Sequence, residues 1–316
     1  MAFLSQHSNG ARRERTALSE RHADGTVQEL QRPRGRLLGF NIYGDPEGFP
    51  VLAFHGVPGT RLMFRTTDDI ATRLGLCIIA PDRPGFGRST AQPDRRLQDW
   101  LPDVEAILSA CHIGRFALIG VSGGSPFATA TAEHFGNRVA AMVLFGPMGP
   151  VAEMKPDEFS WMDRNIFIRL LQTQLCLRAS LSSANTCFMS SPKFAYNVFL
   201  MFLPPCDRKI MRQPRLKERV LEDVTESLAQ GGEGMRSDLR IYGKPWQVDY
   251  KKITAPTVLW QGLDDNIVPI IAALRLGELI PNCAVHRLPG AGHFWIYDHI
   301  ELVLTTLRTM ACDDLG

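Results

Sequence analysis

The chain has 316 residues, about twice the usual length of one compact domain, so two domains or one large α/β unit is the first expectation. Hydrophobic residues at 45% and charged residues at 22% exclude disordered, collagen-like and coiled-coil classes. With 35 Lys and Arg against 33 Asp and Glu, the net charge of +2 is too slight for the basic field that phosphate backbones require, and no nucleic-acid partner is expected.

Residues 1–25 carry Arg13, Glu14, Arg15 and Glu20 with almost no apolar periodicity and read as a mobile tail. Their only apolar opening, Ala2-Phe3-Leu4, is shorter than the roughly 7–15 residues a secretory signal needs; an Arg-rich organelle address is the alternative, against which the glutamates count. From Gly35 the texture changes. Strands are expected at residues 37–43, 50–54, 76–80, 116–121 and 140–145, with helices at 62–74, 100–110 and 125–135 between them. This alternation implies a parallel sheet covered on both faces.

The pattern stops near Pro150 and resumes at Pro256, with strands at 257–260 and 284–288 and a last helix at 297–310. The intervening stretch is helical in texture and rich in Met154, Phe159, Met162, Phe167, Phe188, Met189, Phe194, Phe199, Met201 and Phe202. Most of these side chains are expected to pack helices together and some to roof a pocket. The apolar run 198–203 falls far short of the roughly 20 residues that span a bilayer, and reads as a packed helix before an interface or a membrane-surface contact. Seven cysteines without a C-x-x-C pair read as reduced thiols, and the expected location is cytoplasmic.

Gly120-Val121-Ser122-Gly123-Gly124 follows the apolar strand at 116–121 and opens the helix at 125–135. Strand, tight turn and helix form the setting in which G-x-S-x-G presents a nucleophile. Gly120 and Gly124 are then required because a side chain at either would strike the adjoining strand or helix. Ser122 projects its hydroxyl above the sheet, and the backbone N–H of Gly123 points at an incoming oxyanion. About one chain in ten of this composition would match the five-residue pattern by chance, so the motif needs partners. A neutral serine needs a base and a group that orients the base. Asp264 and Asp265 lie in the loop after the strand at 257–260, and His293 lies in the loop after the strand at 284–288. All three types of group fall at the carboxyl ends of strands, where open α/β sheets gather ligands.

On these residues the chain resembles the α/β-hydrolase superfamily over roughly residues 37–311. The resemblance implies an α/β fold with a mostly parallel sheet flanked by helices and a mainly helical cap inserted after the sixth strand. It divides the chain into catalytic segments 26–149 and 251–316 and a cap at 150–250. His55-Gly56-Val57-Pro58-Gly59 resembles the family's oxyanion loop, which implies Val57 as the second N–H donor and His55 and Gly56 as structural support. The spacing G-x-x-D-x-x-V-P selects Asp265 as the acid, with Asp264 the neighbouring alternative. Arg83 and Arg88, in a turn resembling the family's, are expected to anchor that loop through hydrogen bonds, contact of one of them with a substrate carboxylate being the alternative; His286 and His299 read as packing or surface residues.

The expected chemistry is acyl transfer to water through Ser122, with His293 as base, Asp265 orienting it, and Val57 and Gly123 holding the oxyanion. No cofactor is expected, and the sequence has no metal-binding spacing. A small to medium apolar ester, thioester or lactone is the leading substrate class. C–C bond hydrolysis or acyl transfer by the same triad, and a ligand receptor with little turnover, are the alternatives. Oligomeric state stays open.

Overall fold

The computed structural model describes residues 27–160 and 174–312. The expected tail at 1–25, together with Met162 and Phe167, lies outside the described residues. Eight strands form one sheet: β1 (Gln28–Arg32), β2 (Arg36–Gly44), β3 (Phe49–Phe54), β4 (Leu76–Pro81), β5 (Phe116–Val121), β6 (Val139–Phe145), β7 (Thr257–Gly262) and β8 (Cys283–Leu288). Their order is β1-β2-β4-β3-β5-β6-β7-β8, and every pairing is parallel except β1 with β2 and β2 with β4.

Strands β4 to β7 are buried along their whole length, which is why they read as continuous apolar runs. Successive side chains point to opposite faces of the sheet. Leu52, Phe54, Leu118 and Leu144 enter one core with Trp100, Ile107 and Phe127. Val51, Ala53, Ile119, Val143 and Phe145 enter the other with Val303, Leu304 and Leu307. The covering helices are α1 (Asp68–Leu74), α2 (Leu101–Ala110), α3 (Ser125–Phe135), and, near the end of the chain, α9 (Ile270–Leu279) and α10 (Ile296–Cys312). The helix expected at 62–74 is divided into a 3-10 stretch, Arg61–Thr67, and α1, because Thr60 caps a tight first turn by accepting from Leu62 N–H at 3.1 Å.

Between β6 and β7 run α4 (Gln174–Ser190), α5 (Pro192–Phe202), α6 (Pro205–Met211), α7 (Pro214–Leu228) and α8 (Glu233–Tyr242). Prolines in the first turn open α5, α6 and α7, where the missing N–H has no helical partner to lose. Tyr196 and Leu200, one turn apart on α5, pack with Leu203, Ile210, Met211 and Leu216 in a small core of their own. The apolar run there is therefore divided by the helical period: Leu200 is buried while Met201 and Phe202 are each 73% exposed. Phe194 is exposed too, so the expectation that most Met and Phe of this region pack helices together holds for fewer of them than composition implied. Among the described residues no helix is long and apolar enough to cross a membrane.

Two elements have no clear sequence signal. Strand β1 carries a single apolar residue, Leu30, and is held by its ladder to β2 and by Asp103 of α2, whose buried carboxylate accepts from Arg32 Nε at 2.7 Å and Arg36 Nη2 at 2.9 Å. Helix α9 follows Pro269 directly. Asp103→Ala should release the first hairpin, costing about 1–3 kcal/mol because the charge-assisted bonds to two arginines are lost. Faster hydrogen exchange at Gln28–Arg32 with unchanged exchange in β5 and β6 is the expected readout.

Candidate active site

Strand β5 runs into a turn so tight that Ser122 adopts φ 52°, a left-handed backbone that a non-glycine residue takes only when its surroundings enforce it. The neighbouring glycines make the turn possible. A Cβ on Gly120 would stand 2.9 Å from Ala128 Cβ and Leu144 Cδ2, and one on Gly124 would strike the Phe54 and His55 carbonyls of β3 and its loop. Gly123 admits no Cβ either, because the Tyr242 hydroxyl from α8 occupies that space and donates to Gly123 O at 2.7 Å.

Ser122 Oγ lies 3.0 Å from His293 Nε2, and His293 Nδ1 lies 2.7 Å from Asp265 Oδ2. Asp265 is buried. Its Oδ1 accepts the N–H groups of Ile267 and Val268 at 2.8 and 3.1 Å, and Gln261 Nε2 donates to Oδ2 at 3.2 Å. Burial pushes the Asp265 carboxyl up, but the His293 imidazole and these donors outweigh it and hold it below its ordinary range. Asp264 beside it is exposed and bonds the Ala291 carbonyl through its backbone. His286 and His299 lie exposed against Trp260 and Trp295, away from Ser122.

The loop 55–60 after β3 lies against the elbow: the Val57 side chain packs onto Gly123, its Cγ2 3.0 Å from where a Cβ on that glycine would stand. His55 is fully buried, its Nδ1 2.8 Å from Gly56 O and its Nε2 3.2 Å from the Arg83 N–H. Burial and the Arg83 guanidinium push its pKa well down, so it is a neutral imidazole that donates from Nδ1 and accepts at Nε2. Arg83 grips the loop, donating to His55 O at 2.5 Å and Gly56 O at 3.2 Å, and its charge meets Asp238 at 2.8 Å. Arg88 differs from expectation. Its guanidinium reaches Glu29 at the surface, and what ties its loop is its backbone N–H, bonded to Asp82 Oδ2 at 2.9 Å.

Three carboxylates of the inserted helices have no motif in the sequence and were missed by it. Asp207 on α6 accepts the N–H groups of His293 and Phe294 at 2.8 and 2.9 Å. Asp223 on α7 accepts Thr60 N–H at 2.8 Å, and Ser227, one turn on, accepts Gly59 N–H at 3.2 Å. Asp238 on α8 holds Arg83 and Arg95. Gly146, at the end of β6, was also missed; a Cβ there would come 3.1 Å from His293 Nδ1.

Above Ser122 and His293 is a cavity of about 310 Å³, lined from the sheet domain by Val57, Val121 and Ile267 and from the insertion by Leu181, Phe188, Phe199, Met211, Val220 and Val224. Its size suits a small molecule. Among the described residues no three His, Cys, Asp or Glu side chains converge as a metal site would.

The family profile described as alpha/beta hydrolase fold matches residues 50–300. The chain belongs to that family and is a hydrolase of the class. It is similar to a 2-hydroxymuconate semialdehyde hydrolase of Pseudomonas putida, 23% identical over 83% of this chain and 86% of the other. A 2-hydroxy-6-oxo-2,4-heptadienoate hydrolase from a strain of the same species is 25% identical over 81% of this chain and 86% of its own. Among solved structures, a thermophilic esterase from Thermogutta terrifontis superposes with a TM-score of 0.66 at 20% identity, over 90% of this chain and 99% of that one.

Burial alone pushes the His293 imidazole down; Asp265, with a smaller contribution from Asp207, more than offsets this and leaves it above its ordinary value. A group that must be neutral to accept a proton gives a rate that rises with pH. kcat/KM should therefore climb through a midpoint above that of a free histidine. Asp207→Asn should move the midpoint down and cost about 1.5–3 kcal/mol of stability, the usual scale for hydrogen bonds to a charged group. A pH profile of both proteins, with thermal melts, checks this.

Proposed function

We propose that the protein hydrolyses a carboxylic ester, or a related thioester or lactone, of a small to medium apolar molecule through an acyl-enzyme on Ser122. The observation that carries the reading is the hydrogen-bonded series Ser122, His293, Asp265, with the serine at positive φ on a strand-to-helix turn beneath the apolar cavity. His293 takes the hydroxyl proton as Ser122 attacks the carbonyl carbon, and returns it to the leaving alcohol; water then attacks the acyl group by the same route. Asp265 keeps the proton on Nδ1 so that Nε2 faces Ser122. The oxyanion sits between the N–H groups of Val57 and Gly123, each donor worth on the order of 10²–10³ in rate. His55, Gly56, Gly120 and Gly124 shape the two turns that present these donors. Segments 26–149 and 251–316 form the catalytic domain and 150–250 its cap. Cys187, Cys206, Cys283 and Cys312 form no disulfide, which suits a reducing compartment, and the cytoplasm is the proposed setting.

The second reading is cleavage of a C–C bond beside a carbonyl by the same serine. Its support is the likeness to the 2-hydroxymuconate semialdehyde hydrolase.

A fluorophosphonate probe should label the native protein and leave Ser122→Ala unlabelled; persistent labelling would move the nucleophile elsewhere. Asp265→Asn should lower kcat by on the order of 10⁴, whereas Asp264→Asn keeps most of it, and the reverse pattern would reassign the acid. Repeated turnover of p-nitrophenyl esters separates a hydrolase from a receptor that gives a single burst, and faster cleavage of β-diketones than of esters would favour the second reading.

A further inference from the structure

Besides Tyr196, whose hydroxyl is taken up by Met211 O, and Tyr297, two polar side chains of the largely apolar cavity play no part in the series of Ser122, His293 and Asp265. Asp223 on α7 is 7% exposed and lines the cavity. Its Oδ1 accepts both the N–H and the hydroxyl of Thr60, at 2.8 and 2.5 Å, while among the described residues no donor meets Oδ2. Asn185 on α4 lines the same cavity, and among the described residues no hydrogen-bond partner meets its buried Oδ1. Native interiors pair such atoms, and an acceptor left unpaired in a cavity that opens over a reactive serine is one that a ligand can satisfy.

Both unpaired atoms are acceptors, and among the described residues the cavity wall, Phe188, Leu228 and Met235 included, carries no Lys or Arg. A hydroxyl or ammonium entering there gains a partner that water supplied outside. A carboxylate entering there meets a carboxyl group with no cation between them and loses its hydration. Burial pushes the Asp223 carboxyl up to about 7, Asp82 adding to the rise while the Thr60 donors and Arg61 oppose it.

We propose that Asp223 and Asn185 are specificity-determining residues: they form a polar end of the substrate cavity that takes a hydrogen-bond-donating group, hydroxyl or ammonium, and turns away a carboxylate. The inference rests on the ester hydrolase reading and deepens it, since the donor would belong to the same molecule as the scissile ester. Sites built to bond a substrate hydroxyl discriminate strongly against analogues that leave their polar atoms unpaired.

The test uses the full chain and p-nitrophenyl esters of four to eight acyl carbons ending in methyl, hydroxyl, ammonium or carboxylate, assayed at pH 8.5, where Asp223 is ionised. The native protein should favour a hydroxyl or ammonium terminus over a carboxylate by at least tenfold in kcat/KM at one chain length. Asp223→Asn should shrink the ammonium-to-carboxylate ratio about tenfold, and Asn185→Leu should lower the hydroxyl-to-methyl ratio. Ratios unchanged in both variants overturn the proposal; if Asp223→Asn fails to fold for want of its bond to Thr60, the Asn185→Leu ratio decides alone. Calorimetry on Ser122→Ala needs no turnover. Tighter binding of 6-amino-1-hexanol than of hexanoate supports the polar end even if no ester is cleaved, an outcome that would overturn only the hydrolase reading. Equal binding of the two overturns the polar end whatever the turnover.

Discussion

Asp207, Asp223 and Asp238 carry three carboxylates from the inserted helices into the seam above the sheet, and the loops that carry His293, Thr60 and His55 are fastened to them. Asp207 receives the backbone of His293, Asp223 the backbone of Thr60 beside the loop 55–60, and Asp238 the guanidinium that grips His55 and Gly56. A carboxylate removed from water is costly unless donors replace the lost hydration. Each loop supplies those donors only in one conformation, so the cost of burial becomes a restraint on loop geometry. The strained backbone of Ser122 persists in the same way: Tyr242, on the helix that carries Asp238, closes over Gly123 and leaves the turn no room to relax.

The same residue types acquire opposite properties in this seam because their neighbours differ in sign. His55 and His293 are both buried, which pushes both imidazoles down. His55 faces Arg83 and falls further; His293 faces Asp265 and Asp207 and ends above its ordinary value. The contrast separates a histidine that only holds a loop from one that can gain and release a proton near neutrality. Asp265 and Asp223 diverge likewise. Burial pushes both up; an imidazole and two backbone donors outweigh it at the first, while at the second burial, joined by Asp82, prevails over the Thr60 donors and Arg61 and the carboxyl rises to about 7.

What could be read from the sequence follows from how local each cause is. The central strands were legible because burial on both faces leaves an uninterrupted apolar run, and Ser122 was legible because steric exclusion around the elbow demands glycine within two residues of it. Asp265 and His293 each sit just past a strand end, so position along the chain nearly specifies position in space; backbone donors from Ile267 and Val268 then separate Asp265 from its exposed neighbour Asp264. Strand β1 was not legible, because an edge strand with one apolar residue owes its form to β2 and to Asp103 in α2. The three carboxylates of the seam were not legible either. Asp207 lies 86 positions from its partner and Asp223 lies 163 from its own, and no local pattern in an amphipathic helix separates such an aspartate from a solvated one.

Helix α7 shows why the insertion cannot be treated as a detachable lid. Val220, Val224 and Leu228 recur every four residues and line the cavity, while Asp223 and Ser227 occupy the adjoining stripe of the same face and hold Thr60 and Gly59. One face of one helix therefore sets the shape of the cavity and the position of the loop that carries Val57. Sliding or tilting α7 to admit a different substrate would pull on that loop at two points. Changing Val220, Val224 or Leu228 in place would reshape the cavity and leave both attachments intact. Among proteins that keep this arrangement, specificity is thus free to change by side-chain substitution along the cavity stripe and is opposed where it requires the helix to move.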